Sequence, residues 1–208
     1  MKHFWTQIEQ ILKEKHGCKF PGLQKKDYLF LTGIRSSNKF TDAFDDSVHV
    51  LFVAANGNWF ESEHPCTTKP GGFWLKHPMK PSGCAIVASG YYPNLWQVGS
   101  HKGQYEALVQ FGHVDVYRDA DLDLEYDLDS STVESCYGCG INFHRSNPST
   151  GSDVVDKWSA GCVVMKNAKD FDSVMAKARL HAAANGPVSF LLLGQKDFDE
   201  LALKNSIS

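Results

Sequence analysis

The sequence predicts an α+β chain, mostly β, with one helix at the start and another near the end. Three observations carry this. Phe4, Ile8, Ile11 and Leu12 recur at helical spacing within Phe4 to Lys15. Val48 to Ala54 and Val188 to Leu193 are short β-branched or apolar runs of strand length. Between them, Asn56 to Pro93 is punctuated by glycine and proline, which suits short strands joined by turns.

Taken in order, the N-terminal helix stops at Gly17, and Pro21-Gly22 opens a turn. Tyr28 to Ile34 reads as a strand, and the polar stretch Arg35 to Asp46 as a loop. Cys84 to Ala88, Ala107 to Gln110 and Val114 to Tyr117 are further strands. Gly140 to Phe143 reads as a short strand leading into His144, and Ala160 to Met165 is another apolar run. Asp170 to Ala184 is Ala-rich and helical until Gly186-Pro187 stops it. The tail from Gln195 reads as a short helix or a frayed end. No repeat or linker divides the chain, so residues 1–27 form a helical extension and 28–208 one domain.

The 208 residues carry a formal net charge of -3. Without a basic field, nucleic acid is not an expected partner. Glu9 and Gln10 interrupt the apolar core that a signal peptide needs, and no later stretch is long and apolar enough to span a bilayer. The six cysteines show no paired zinc spacing, and Cys136-Tyr137-Gly138-Cys139 is a lone C-x-x-C that reads as a turn. Asp119, Asp121, Asp123, Glu125 and Asp127 alternate as acids do in a calcium loop. Leu124 stands where the EF-hand turn needs glycine, so this stretch reads as a solvated acidic edge.

The chemistry concentrates in Gly140-Ile141-Asn142-Phe143-His144-Arg145-Ser146 and Trp158-Ser159-Ala160-Gly161-Cys162. A thiol attacks as its thiolate, so a catalytic cysteine needs a nearby base. Histidine suits that role. Gly161 permits a tight turn before Cys162, whose backbone N–H groups can face an oxyanion. The competing reading is a buried structural cysteine. No metal or cofactor is needed for such chemistry.

These residues resemble the signature of the L,D-transpeptidase (YkuD-like) family: a His after a short strand, a spacer, then Ser-His-Gly-Cys. Here the run is His144, fourteen intervening residues, then Ser159-Ala160-Gly161-Cys162. Thr67-Thr68-Lys69-Pro70-Gly71-Gly72 is loosely similar to a Thr/Gly/Pro turn of that family. His101-Lys102-Gly103, Ala107 to Gln110, Val116 to Asp119, Ile141 to Arg145 and Trp158 to Cys162 together resemble a divergent set of bacterial and phage proteins.

The resemblance implies a YkuD-like β-sandwich or barrel over 28–208, with Cys162 as nucleophile and His144 as base. A carbonyl at Arg145 or Ser146 would orient the imidazole. It implies peptidoglycan stem peptides as substrates, reached in the periplasm or cell wall after delivery by a lysis or secretion system.

Two departures stand out: Ala160 replaces the family's second His, and Val164 replaces its Arg. They favour hydrolysis, an L,D-carboxypeptidase or endopeptidase of endolysin-like bacteriolytic type. Cross-linking by transpeptidation and a non-catalytic cell-wall or virion module remain the alternatives.

Arg145, His101 and Lys102 are the substitutes expected for the missing groups, with Arg145 gripping a substrate carboxylate. Ser159 reads as a turn hydroxyl, with participation in the site as the alternative. Trp158 and Ser146 are expected beside the substrate. Tyr91, Tyr92 and Trp96 read as core or as groove aromatics.

Overall fold

The computed structural model describes residues 2–18, 25–38 and 42–206. The expected turn at Pro21-Gly22 and the middle of the Arg35 to Asp46 loop lie outside them.

The chain is α+β and mostly β, built around a closed eight-stranded barrel. The barrel uses β1 (Tyr28–Arg35), β2 (Asp46–Val53), β3 (Trp59–Thr67), β5 (Gly90–His101), β6 (Tyr105–Gln110), β9 (Phe143–Arg145), β10 (Val163–Met165) and β11 (Val188–Gly194). Its order is β1-β11-β5-β6-β9-β10-β3-β2. A separate three-stranded sheet joins β4 (Cys84–Val87), β7 (Val114–Asp119) and β8 (Glu134–Cys136), with β7 in the middle. The helices are α1 (Lys2–His16), α2 (Gly72–Lys76), α3 (Ala168–Asn185) and α4 (Gln195–Ser206).

β1 and β11 are continuous apolar runs because both their faces are covered. Leu29, Leu31, Phe190 and Leu192 turn into the main core with Val50, Trp96, Leu108, Phe143 and Met165. Phe30, Leu191 and Leu193 face outward and meet Trp5, Ile8, Ile11 and Leu12 of α1 in a second core. The spacing that predicts α1 is therefore the spacing of residues seated on the barrel wall. Burying four such side chains is worth roughly 1.5–3 kcal/mol each before entropy is counted. On the far side, α3 sends Phe171, Val174, Met175 and Ala178 into the main core.

Three expectations need correction. The Asn56 to Pro93 stretch contains the helix α2 as well as strands. β5 continues through Pro93 to His101, where no strand was expected. Proline is tolerated there because the β5–β11 register shifts between Val188 and Phe190, so no ladder N–H is needed. The strand expected over Gly140 to Phe143 is instead β9, Phe143–Arg145, and His144 sits inside it. Tyr92 and Trp96 are core residues rather than groove aromatics, with the Trp96 indole N–H donating to the Ile141 carbonyl at 2.8 Å.

Candidate active site

β9 and β10 are parallel neighbours, and His144 pairs with Val164. Because strand side chains alternate, Phe143, Val163 and Met165 enter the barrel, while His144 sits on the other face. Cys162 lies just before β10, level with Asn142, where the Val163 N–H donates to the Asn142 carbonyl at 3.0 Å. His144 and Cys162 thus line one cleft of about 470 Å³, together with His101, Lys102, Asn142, Trp158 and Ala160. The sheet of β4 and β7 supplies Cys84, Ala85 and Arg118 to the opposite wall.

Gly161 makes the turn that delivers Cys162. Its φ is 122°, and a Cβ there would lie 2.5 Å from the Ala85 carbonyl oxygen. Ser159 fixes the same turn: its hydroxyl donates to the Cys162 carbonyl at 2.8 Å and accepts the Gly161 N–H at 3.2 Å. The Gly161 N–H is therefore committed within the turn. The Cys162 thiol donates to the Gly140 carbonyl at 3.3 Å, and the Asn142 N–H reaches its sulfur at 3.4 Å.

The His144 Nδ1 lies 2.9 Å from the Arg145 carbonyl. A carbonyl only accepts, so the proton is on Nδ1 and the lone pair on Nε2. The Tyr105 hydroxyl lies 3.2 Å from the same Nδ1. The His101 ring stacks on His144 with centroids 4.1 Å apart, and its Nδ1 is 3.1 Å from the Asn142 amide nitrogen. Burial, followed by the neighbouring His101, pushes the His144 pKa down to about 3. Burial also pushes the Cys162 thiol up, with the Asn142 N–H and Lys102 opposing weakly. Both groups are therefore neutral near pH 7, and no hydrogen bond joins them among the described residues. The arrangement is a neutral thiol and a neutral imidazole, protonated on Nδ1, lining one cleft.

The other expected residues divide. His101, Lys102 and Trp158 line the cleft. Arg145 does not: its guanidinium lies 4.2 Å over the Tyr105 ring and donates to the Ser146 carbonyl at 3.2 Å. Its position follows from the alternation of β9, which turns residues 143 and 145 away from His144. Ser146 is buried, its hydroxyl donating to the Lys166 carbonyl at 2.6 Å, so it holds β9 against the following loop. Val164 packs with Phe44 and Val155, on the side away from the core.

Sequence reasoning gave no role in the site to Arg118, Tyr105 or Asn142. Arg118 lines the cleft, its Nε donates to Glu134 at 2.6 Å, and its Nη2 is buried without a hydrogen-bond partner. Lys80, Lys102, Arg118 and Lys157 line this cleft, and among the described residues no Asp or Glu does.

Comparison with family models, curated proteins and solved structures finds no match for this chain.

Beneath the site, a buried ion cluster braces the Thr67 to Gly71 turn. Lys69 lies 3.0 Å from Asp45 and 3.1 Å from Asp46. Asp46 accepts from the Thr68 N–H and hydroxyl, each at 2.7 Å, and Arg35 donates to the Thr68 hydroxyl and carbonyl, each at 2.9 Å. The turn then passes its order to the site: the Gly71 N–H donates to the Ser159 carbonyl at 2.9 Å. Cys136 and Cys139 form a disulfide, and Cys139 stands at the cleft beside Gly140.

Proposed function

We propose that the chain is a cysteine acyl-transfer enzyme of the L,D-transpeptidase (YkuD-like) kind, hydrolysing peptidoglycan stem peptides through Cys162 and His144. The observation that carries this reading is the shared cleft of Cys162 and His144, with the His144 Nδ1 proton held by the Arg145 carbonyl. That bond leaves Nε2 free to act as a general base.

In the reaction, Nε2 of His144 takes the thiol proton as the sulfur attacks a peptide carbonyl. Bringing a peptide into the cleft displaces water from around a thiol already drawn up by burial, so deprotonation accompanies attack. The Cys162 N–H is the donor of this turn left for the oxyanion, since the Gly161 N–H is bound to Ser159. The imidazolium then protonates the leaving amine, giving a thioester. A water, deprotonated by Nε2, cleaves the thioester and returns the free thiol. An amine in place of that water would make a cross-link instead.

Stem peptides carry carboxylates, and a cleft with four cations and no acid is matched to them. His101 and Lys102 bring to the cleft an imidazole and a cation that positions 160 and 164 lack. The unpartnered Nη2 of Arg118 is the group for a substrate carboxylate, the part that Arg145 was expected to play.

The test incubates stem-peptide fragments containing diaminopimelate with the wild type, Cys162→Ala and His144→Ala, and reads product masses. Loss of a residue, abolished in both variants, is the expected result. A new cross-link would make the enzyme a transpeptidase. Turnover that persists in Cys162→Ala, or binding without turnover in the wild type, would overturn the reading.

A further inference from the structure

The acidic stretch after β7 is not used by the proposed chemistry. Asp119 ends β7, and the chain then turns through Leu122, whose φ is 66°. One carboxylate oxygen from each of Asp119, Asp121 and Asp127 lies within 4.8 Å of the other two. Two oxygens bound to one calcium ion at about 2.3–2.6 Å are separated by no more than about 5 Å, so the three fit one coordination sphere.

A second observation sets this cluster apart from a solvated edge. Asp119 is fully buried, at 0% exposure, and its Oδ1 has no hydrogen-bond partner. A buried carboxylate oxygen without a donor is costly. Its other oxygen accepts the Asp127 N–H at 3.1 Å, which brings position 127 back over 119. Asp121 and Asp127 are exposed and lie around the buried oxygen's own carboxylate, so the cluster opens to solvent on one side.

We propose that Asp119, Asp121 and Asp127 bind a calcium ion. All three donors are hard carboxylate oxygens, and calcium accepts irregular geometry where magnesium demands a near-ideal octahedron. The spacing matches positions 1, 3 and 9 of a calcium loop, with Asp123 and the Glu125 carbonyl at positions 5 and 7. Glycine is not needed at Leu124, because the left-handed residue of this loop is Leu122. Position 12 is Ser130 rather than a bidentate Glu, so the site is a weak one.

The ion would pin a loop that touches the cleft wall. Tyr126 in this loop donates to the Pro70 carbonyl at 3.1 Å, next to the Gly71 that holds Ser159. Arg118, adjacent to Asp119, lines the cleft.

The experiment uses the full chain freed of metal with a chelator at pH 7.5. Calorimetric titration with calcium chloride is expected to show one site per chain with Kd between about 1 µM and 1 mM. Saturating calcium, at about 100 times Kd, is expected to raise Tm by about 5–10 °C. Magnesium at the same concentration is expected to give less than half that shift. Terbium luminescence excited through tyrosine, Tyr126 being in the loop, is expected to appear and to be displaced by calcium.

Asp119→Asn and Asp121→Asn are each expected to weaken binding at least tenfold. If Asp119→Asn does not fold, the exposed Asp121→Asn decides the matter. No saturable signal up to about 10 mM calcium, an unchanged affinity in Asp121→Asn, or equal shifts from magnesium would overturn the proposal. None of these readouts involves turnover, so they stand or fall apart from the proposed activity.

Discussion

The sulfur of Cys162 lies 3.4 Å from the Asn142 backbone nitrogen, across the start of the parallel β9–β10 pair. This contact ties the Cys162 thiol to the backbone at the start of β9 rather than leaving it on a free loop. The same pairing carries His144, one alternation further along β9, onto the cleft face. The two groups are positioned by one ladder, and both are held neutral by burial.

The neutral pair sets the expected reactivity. Cys162 is expected to alkylate slowly at pH 7 for a catalytic cysteine, with a rate still rising above pH 9, because its thiol is pushed up. Turnover, by contrast, is expected to keep its acid limb well below pH 6.5, toward the His144 value of about 3. An iodoacetamide rate profile with a plateau by pH 7 would show a resting thiolate and defeat this account.

His144 also ties stability to pH. Its folded pKa, about 3, is below the unfolded 6.5, so the unfolded chain takes up the proton first. The His144 contribution is therefore complete above pH 6.5 and is lost as pH falls from there toward 3. One proton corresponds to a slope of at most about 1.4 kcal/mol per pH unit. Urea midpoints measured from pH 7 to 4 are expected to fall less steeply in His144→Gln than in the wild type. Parallel profiles would refute it.

Gly161→Ala combines a left-handed backbone with a clash, since the new Cβ would meet the Ala85 carbonyl at 2.5 Å. Strain and overpacking cost about 1–3 kcal/mol each. A Tm loss of roughly 5 °C or more, with turnover falling further than stability explains, is expected. A fully active and equally stable variant would mean that the turn can be rebuilt without glycine.

Arg118→Gln removes the unpartnered Nη2 from the cleft. A charged hydrogen bond is worth about 1.5–3 kcal/mol, so kcat/KM is expected to fall about 10–100-fold, mostly through KM. Amidating the substrate carboxylate is expected to cost the wild type a similar factor and the variant little. Equal losses in both proteins would remove Arg118 from substrate recognition.

Asp46 balances Arg35 and Lys69 in a fully enclosed cluster. Asp46→Ala leaves Lys69 with Asp45 alone and removes the buried carboxylate that faces Arg35 and accepts from Thr68, which costs about 3–5 kcal/mol. Thermal unfolding is expected to move down by about 10 °C or more. A shift under about 2 °C would show that the cluster contributes little to stability.

Much of this architecture is written in local pattern. The helical spacing of Ile8, Ile11 and Leu12, and the apolar runs in β1, β2 and β11, are legible because each reflects burial along one element. β5 was hidden because Pro93 suggests a break, and only the shifted pairing with β11 makes that proline harmless. That α1 shares a core with β1 and β11 is a tertiary contact that its own spacing does not announce.

For the site, the chain by itself singled out Cys162 and His144 as the candidate pair, by residue type and spacing; that both line one cleft was decided by the parallel pairing of β9 with β10. Tertiary structure decided the rest. Arg118 comes from another sheet and Tyr105 from a strand distant in sequence, so no local pattern announces their place beside His144. Arg145 was assigned to the cleft and faces away, because alternation in β9 allows only one of two neighbours to share the face of His144. The protonation states were likewise beyond the sequence: they follow from burial, which is a property of everything packed around a group rather than of its neighbours in the chain.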